Sequence, residues 1–326
     1  MIRSAVLGTG SYLPERVVTN KDWEKMVDTS DEWITTRTGI KERHFAAKDQ
    51  ATSDLVVEAS KKAIEDAKIN KEDIDLIIVG TISSDNAYPS TANWVQKKLG
   101  IKPIPSFDIS AACSGFLYGL IVADSFIKIG AAKKVLVAGA EIMTRIMNWE
   151  DRNTCVLFGD GSGAVVLGPT DEDKGILSTY WGADGNLGDL LKQPAGGSAM
   201  PATHETVDKR LHAIYMEGNK VFKHAVLRMQ EAAIKALELA NLTSEDVDLY
   251  IPHQANIRII EATIERAKIP LEKTFINIDK IANISSATIP IGLDQAKKAG
   301  RIKPGDNVLM SAFGGGLTWA GIVVKF

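Results

Sequence analysis

Of the two cysteines in the chain, Cys113 is the one placed to react. It follows Ser110, Ala111 and Ala112, small residues that fit a tight strand-to-helix corner. It precedes Phe116, Leu117, Leu120, Ile121 and Ile127, an apolar helical face. The thiol would then lie at a helix N-terminus, where partial positive charge stabilises a thiolate and lowers the thiol pKa. The chemistry would be nucleophilic, with sulfur as an acyl carrier. A small, inert, packed cysteine shows the same local pattern. His253, in Ile251-Pro-His-Gln-Ala-Asn256, closes an apolar run and is well placed for a site, although alone it reads better as a satisfied structural histidine. Asn283, in Ile281-Ala-Asn-Ile-Ser-Ser-Ala287, could donate to a developing oxyanion. Alone, Asn283 and Ser285 read better as caps of a helix from about Ala287.

Two glycine runs could bring backbone N–H groups to a reacting carbonyl. Phe313-Gly-Gly-Gly-Leu317 follows a strand and is equally a tight turn between strands. Phe158-Gly-Asp-Gly-Ser-Gly-Ala164 lacks the Lys-Ser/Thr end of a phosphate loop and reads as a hairpin or bulge. Gly8-Thr-Gly10 is too weak for a dinucleotide fingerprint, because Pro14 interrupts the helix that should follow. No metal site is expected: His44, His204, His212, His224 and His253 are scattered, and no Cys/His spacing fits zinc.

The elements that must position these residues occur twice. Glu58–Ile78 and Glu231–Ile251 share eleven identical pairs at an offset of 173 residues, and the same offset brings Val135-Leu136 onto Val308-Leu309. Each copy reads as an amphipathic helix, a polar turn and a buried strand. Strands are expected at 74–79, 134–140, 155–158, 164–167, 247–251, 307–312 and 321–326. Helices alternating with buried strands imply an α/β fold with helices covering sheets. The chain divides into halves 1–172 and 173–326, with a site expected where they meet. Gly185–Glu205, rich in Gly and Pro, reads as a surface loop, and Trp23–His44 as an irregular excursion over the core. The offset carries Cys113 onto Ser286, so the segment around Asn283 is the second-half counterpart of the cysteine corner.

Bulk properties narrow the function. The 326 residues are 45% hydrophobic with a net charge of −3, which argues against a nucleic-acid binder that relies on a global basic field. Two cysteines are too few for a disulfide framework and fit a reducing compartment. The first ten residues lack the apolar core of a secretory signal, and no window reaches the ~18–20 apolar residues of a membrane span. A cytoplasmic address is expected.

Together, Cys113, His253 and Asn283 make a Cys–His–Asn set spread over both halves. With Thr29–His44 (TSDEWITTRTGIKERH), Asp108–Phe116, Asp151–Gly168, Ile251–Ile260 and Phe313–Trp319 in this order, the chain resembles β-ketoacyl-acyl carrier protein synthase III over essentially its whole length. The resemblance implies a thiolase-like fold: pseudo-twofold-related halves in a layered αβαβα arrangement, usually a homodimer. It implies decarboxylative condensation of an acyl-CoA primer, commonly acetyl-CoA, with malonyl-acyl carrier protein through acyl-Cys113, starting a fatty-acid chain without a cofactor. His253 and Asn283 match the pair donating to the malonyl thioester oxygen. The backbone N–H groups of Cys113 and Gly315 match a second oxyanion hole. Trp33 and Arg152 match residues sandwiching the CoA adenine, and Arg37 a phosphate contact. Asn219, Asn256 and Phe222 match the pantetheine channel, Tyr88 an aromatic reaching into the partner's acyl pocket, and Lys223 and Arg258 the carrier-protein patch. One departure stands out: Ala282 and Ile284 replace the Gly and Thr that usually flank the asparagine. This suggests altered loop mobility or a reshaped pocket. Rival readings are a quinolone-type or ketone-forming condensing enzyme, a hydroxymethylglutaryl-CoA synthase, whose usual acid near the cysteine is missing from Ser110–Gly115, and a non-catalytic scaffold.

Overall fold

A computed structural model describes residues 2–326. Its first sheet has five strands in the spatial order Arg3–Tyr12, Asp160–Thr170, Val135–Ile142, Leu76–Gly80 and Ser106–Ile109. The last three are parallel, and the first two run antiparallel to their neighbours. The second sheet has four strands, Leu249–Pro252, Asn307–Gly314, Thr318–Lys325 and Gly175–Ala183, with one parallel and two antiparallel pairings. The edge strand Ser106–Ile109 has a reduced counterpart, a single parallel bridge between Tyr250 and Thr274.

The duplication is visible in backbone detail. The 3-10 turns Lys71–Asp73 and Ser244–Asp246 stand 173 residues apart, as do Ala112–Ser114 and Ser285–Ala287. Lys68 and Asn241, at the same spacing, share φ values of 54° and 56°.

Strand periodicity builds the layers, because alternate side chains leave opposite faces of a sheet. Leu76, Ile78, Val135 and Val137 face inward onto helix Gly115–Lys128, together with Ile289 and Leu293 of helix Thr288–Lys298 and with Leu249, Val308 and Ile322 of the second sheet. Ile77, Val79, Leu136 and Ala138 face outward onto helices Thr52–Asp66 and Thr91–Leu99. Leu309 and Val323 face outward onto helices Gly218–Leu239 and Ile257–Ala267. The result is five layers, αβαβα, with the two central helices buried between the sheets.

Several local expectations change. Arg152–Cys155 is a short helix, so 155–158 is not a strand; the strand begins at Asp160 and runs unbroken to Thr170. Gly161 and Gly163 therefore lie within a strand and not in a hairpin or bulge. A Cβ on Gly163 would meet Ile291 N at 2.6 Å, so the absent side chain is what lets the second central helix touch this strand. The segment 23–44 is regular: helices Asn20–Trp23 and Asp31–Thr38 lead to strand Glu42–Phe45, anchored by fully buried Trp23 and Arg43. Within 185–205 there are a 3-10 helix, Gly185–Leu190, and a short strand, Leu191–Lys192. No helix among the described residues is long and apolar enough to cross a membrane.

Candidate active site

The two central corners each reach into the other half. At the first, Ser114 Oγ donates to Thr318 O (3.2 Å) and Thr318 Oγ1 donates to Ala111 O (2.9 Å). A Cβ on Gly314 would stand 2.6 Å from Cys113 N, so glycine brings the strand end Asn307–Gly314 directly against the cysteine. At the second, Ser286 Oγ donates to Gly80 O (2.7 Å) in the first sheet. Ala112 and Ser285, 173 residues apart, enter their turns at φ 45° and 46°. Each is a non-glycine residue held left-handed by its surroundings, a strain that clusters at functional sites.

This crossing places Cys113, His253 and Asn283 on one cavity of about 1630 Å³. Trp33, Arg37, Asn219, Phe222, Asn256 and Gly315 line the same cavity, as do Lys223 and Arg258. Arg152 does not line it directly; its guanidinium sits 5.4 Å from the Trp33 ring and donates to Asp28 O (2.9 Å). Arg37 lies over the same indole at 4.6 Å. Tyr88 is also outside the lining and is 88% exposed. Asn256 caps helix Ile257–Ala267 through Arg258 N and donates to Arg37 O (3.0 Å), tying the two sides of the cavity mouth. Arg258 stacks over Phe222 at 5.8 Å. Among the described residues no group of three or more His, Cys, Asp or Glu could hold a metal ion.

Each catalytic candidate is held by its backbone neighbours. His253 ends strand Leu249–Pro252, its N–H donating to Ser311 O (2.9 Å). Its Nδ1 meets Thr288 Oγ1 at 2.6 Å, while Nε2 is buried without a partner. Asn283 is clasped by the Leu157–Gly159 segment: its N–H donates to Leu157 O (2.9 Å), and Gly159 N–H donates to its carbonyl (3.1 Å). Its Oδ1 accepts from Ser285 N (2.8 Å), which leaves the amide Nδ2 as a donor. Asn283 thus meets the first N–H of the 3-10 turn Ser285–Ala287 from one residue before its cap position, Ile284, and helix Thr288–Lys298 has no side-chain cap.

Electrostatics corrects one expectation. Cys113 is partly exposed, yet it lies deep enough that burial pushes its thiol up to about 12. Desolvation of the charged form therefore reverses the depression expected from a helix end. The resting sulfur is a neutral thiol. A carboxylate not singled out from sequence stands nearby. Glu141 is fully buried at the end of strand Val135–Ile142, accepting from Thr81 Oγ1, Ile82 N and Ser83 N and Oγ. The available signal was a single acid in an apolar strand, a residue type almost never fully buried unless paired.

Burial also depresses the His253 pKa from 6.5 to about 3, so the imidazole is neutral at pH 7. Between those values the unfolded chain binds a proton that the native state refuses. Native stability accordingly falls as pH drops through this window, by up to ~1.4 kcal/mol per pH unit. Glu141 has the opposite sign: burial lifts it from 4.5 to about 7, so the native state takes the proton first and gains stability as pH falls from 7 to 4.5. The two offset between 4.5 and 6.5, and the histidine effect emerges below. His253→Gln should lose less stability than the parent between pH 4.5 and 3 in urea titrations; parallel curves would contradict the neutral imidazole.

The departures around Asn283 act on the backbone. Ile284 is fully buried against Leu13, Ile281, Ala287 and Ile291 and does not line the cavity, so it does not reshape the pocket. Ala282 is held at φ 59°, ψ −163°. That region is essentially reserved to glycine and costs other residues about 1–3 kcal/mol. Ala282→Gly removes the strain at the loss of one buried methyl, worth about 0.8 kcal/mol. A net stabilisation of about 1 kcal/mol is expected, read as a higher urea midpoint at unchanged slope.

Comparison with known proteins agrees with this geometry. The family described as 3-oxoacyl-[acyl-carrier-protein (ACP)] synthase III matches residues 107–185, and its C-terminal part matches 237–326. The chain is 58% identical over 325 residues to a β-ketoacyl-[acyl-carrier-protein] synthase III of Caldanaerobacter subterraneus subsp. tengcongensis, covering 100% of this chain and 98% of that one. It is 54% identical to one from Clostridioides difficile, covering 99% and 98%. The crystal structure of the Aquifex aeolicus 3-oxoacyl-[acyl-carrier-protein] synthase III superposes with a TM-score of 0.91 at 49% identity, covering 99% of this chain and all of that one. Layered sheets, crossed corners and full-length likeness lead to one assignment: the chain belongs to the β-ketoacyl-acyl carrier protein synthase III family of acyltransferase-class condensing enzymes.

Proposed function

We propose that this chain condenses an acyl-CoA primer, acetyl-CoA in the first instance, with malonyl-acyl carrier protein, starting fatty-acid synthesis. The observation that carries this reading is the convergence of Cys113, His253 and Asn283, supplied by both halves, on one cavity. The halves divide at 172/173.

In the first step Cys113 Sγ attacks the primer carbonyl. The Sγ–carbon bond forms, the CoA–sulfur bond breaks, and CoA leaves as a thiol carrying the proton that Cys113 gives up. The backbone N–H groups of Cys113 and Gly315 stabilise the tetrahedral oxyanion, and Gly314 makes their approach possible. In the second step malonyl-carrier protein loses CO₂, and negative charge builds on its thioester oxygen. Neutral His253 and the Asn283 amide donate to that oxygen. The carbanion then attacks acyl-Cys113; a carbon–carbon bond forms, the Sγ–carbon bond breaks, and the thiolate takes up a proton.

Trp33 and Arg152 hold the CoA adenine, for which Arg152 must leave its present contact with the ring. Arg37 meets the phosphates, and Asn219, Phe222 and Asn256 guide the pantetheine arm. Lys223 and Arg258, both exposed at the cavity rim, dock the acidic carrier protein. The exposure of Tyr88 supports a homodimer in which it enters the partner's acyl pocket. The reading assigns a cytoplasmic enzyme in which both thioesters are substrates and no cofactor is resident.

The test combines acetyl-CoA, malonyl-carrier protein and the intact protein, with analysis of products and of the acylated peptide. Acetoacetyl-carrier protein, CO₂ and acetyl on Cys113 are expected. Acetyl on Cys155, or acyl transfer without condensation, would overturn the reading.

A further inference from the structure

The reaction asks His253 to donate from Nε2, but a neutral imidazole has one N–H, and either nitrogen can carry it. What decides between them is a residue outside the Cys–His–Asn set. We infer that the Thr288 hydroxyl is a positioning group that fixes the imidazole tautomer, holding the proton on Nε2.

The argument rests on how one hydroxyl hydrogen can be used. Thr288 is fully buried at the first position of helix Thr288–Lys298. Its Oγ1 has three polar neighbours. Gln254 N–H donates to it at 3.3 Å and occupies a lone pair. The Ser285 carbonyl lies 3.3 Å away and His253 Nδ1 2.6 Å away. The hydroxyl has a single hydrogen, to be given to the carbonyl or to the ring. Well-formed hydroxyl hydrogen bonds lie near 2.7–2.8 Å between heavy atoms. At 2.6 Å one hydrogen lies between Oγ1 and Nδ1, and it belongs either to the ring or to the hydroxyl. The Ser285 carbonyl already accepts the Thr288 N–H and stands 3.3 Å from the hydroxyl, so the hydroxyl hydrogen is better spent on the ring. Nδ1 then accepts, and the proton resides on Nε2.

The surroundings reinforce this arrangement. Nε2 is the ring atom with no protein partner, buried on a residue that lines the cavity. Thr288 is β-branched, which restricts its rotamers and steadies the hydroxyl. Its helix begins directly after the turn that orients Asn283 through Ser285 N. One turn thus sets both donors: the Ser285 N–H directs the Asn283 amide, and Thr288 directs the imidazole. A further consequence follows for the first half-reaction. A nitrogen that already bears a proton cannot accept the Cys113 proton, so His253 is a donor and not the base of acylation.

This deepens the reading of His253 given above, and its test has one arm independent of turnover. In protein labelled with ¹⁵N-histidine, long-range proton–nitrogen spectra distinguish ring N–H from bare ring nitrogen; the His253 signals are assigned by their loss in His253→Gln. The expected pattern is protonated Nε2 and bare Nδ1, constant from about pH 5.5 to 8.5. A proton on Nδ1 would overturn the inference even if every kinetic expectation held. The second arm compares Thr288→Val, which keeps the shape and loses the hydroxyl, with Thr288→Ser, which keeps the hydroxyl. Malonyl-carrier decarboxylation should fall at least tenfold in Thr288→Val and recover to within threefold of the parent in Thr288→Ser. Acylation of Cys113 by acetyl-CoA should stay within threefold in both. Equal losses in the two half-reactions, or a serine variant as impaired as valine, would show a merely structural role. Should Thr288→Val fail to fold, the spectrum of the unsubstituted protein still decides. Failure of Cys113 to take label would sink the condensation reading and leave the tautomer result standing.

Discussion

Cys113→Ala should take up no acyl group from acetyl-CoA and form no condensation product, yet should continue to decarboxylate malonyl-carrier protein. The two outcomes separate because the two half-reactions use different atoms. Loading needs the sulfur, and nothing else on the cavity replaces it, because Cys155 is fully buried in the cluster around Trp23 and Met143 and does not line the cavity. Condensation should therefore fall by at least ~10⁴-fold, the scale seen when a covalent nucleophile is removed. Decarboxylation asks only that the malonyl oxygen meet the His253 and Asn283 donors, and these are held by contacts that do not involve the sulfur: Ser311 O, Thr288 Oγ1, Leu157 O and Ser285 N. Release of ¹⁴CO₂ from labelled malonyl-carrier protein measures it. If decarboxylation disappeared together with loading, the separation of roles would be wrong.

Asn283→Ala should behave in the reverse way. Acetyl-CoA still loads Cys113, while decarboxylation and condensation fall by about 10²–10³, the ~2.7–4 kcal/mol that one oxyanion donor contributes. The magnitude is that of a preoriented donor, because the Oδ1 bond from Ser285 N costs the amide its freedom before substrate arrives. Asn283→Asp is the more severe change. It preserves the shape but replaces the donor with an acceptor that repels the developing charge. Single-turnover acylation and CO₂ release, measured separately, give the two rates. An equal loss in both would place Asn283 in the first half-reaction.

Legibility of this protein varied with the kind of information required. The duplication, the helix-strand alternation and the two corners were readable because they rest on local periodicity and on a repeat offset, which need no third dimension. Cys113, His253 and Asn283 could be singled out by residue type and by position at the ends of apolar runs. Their convergence could not, because it depends on each corner crossing into the opposite sheet, through Ser114 to Thr318 and Ser286 to Gly80. The segment 155–164 misled because its apolar residues suggested a strand and its glycines a turn, whereas Gly159 and Gly163 admit neighbouring backbone at Ile281 and Ile291.

Charge states were the least legible. A helix end argued for an acidic thiol, but burial, which only tertiary packing creates, lifts the Cys113 thiol and lowers the His253 imidazole. Thr288 carried no local signature either, since its partner His253 lies 35 residues away, and the lone acid at Glu141 gave no hint of its partners about 60 residues away. Sequence alone therefore determined which elements form and which side chains are chemically able. The tertiary structure decided which of them meet and in which protonation state, because desolvation and hydrogen-bond partnership belong to atoms distant in the chain and close in space.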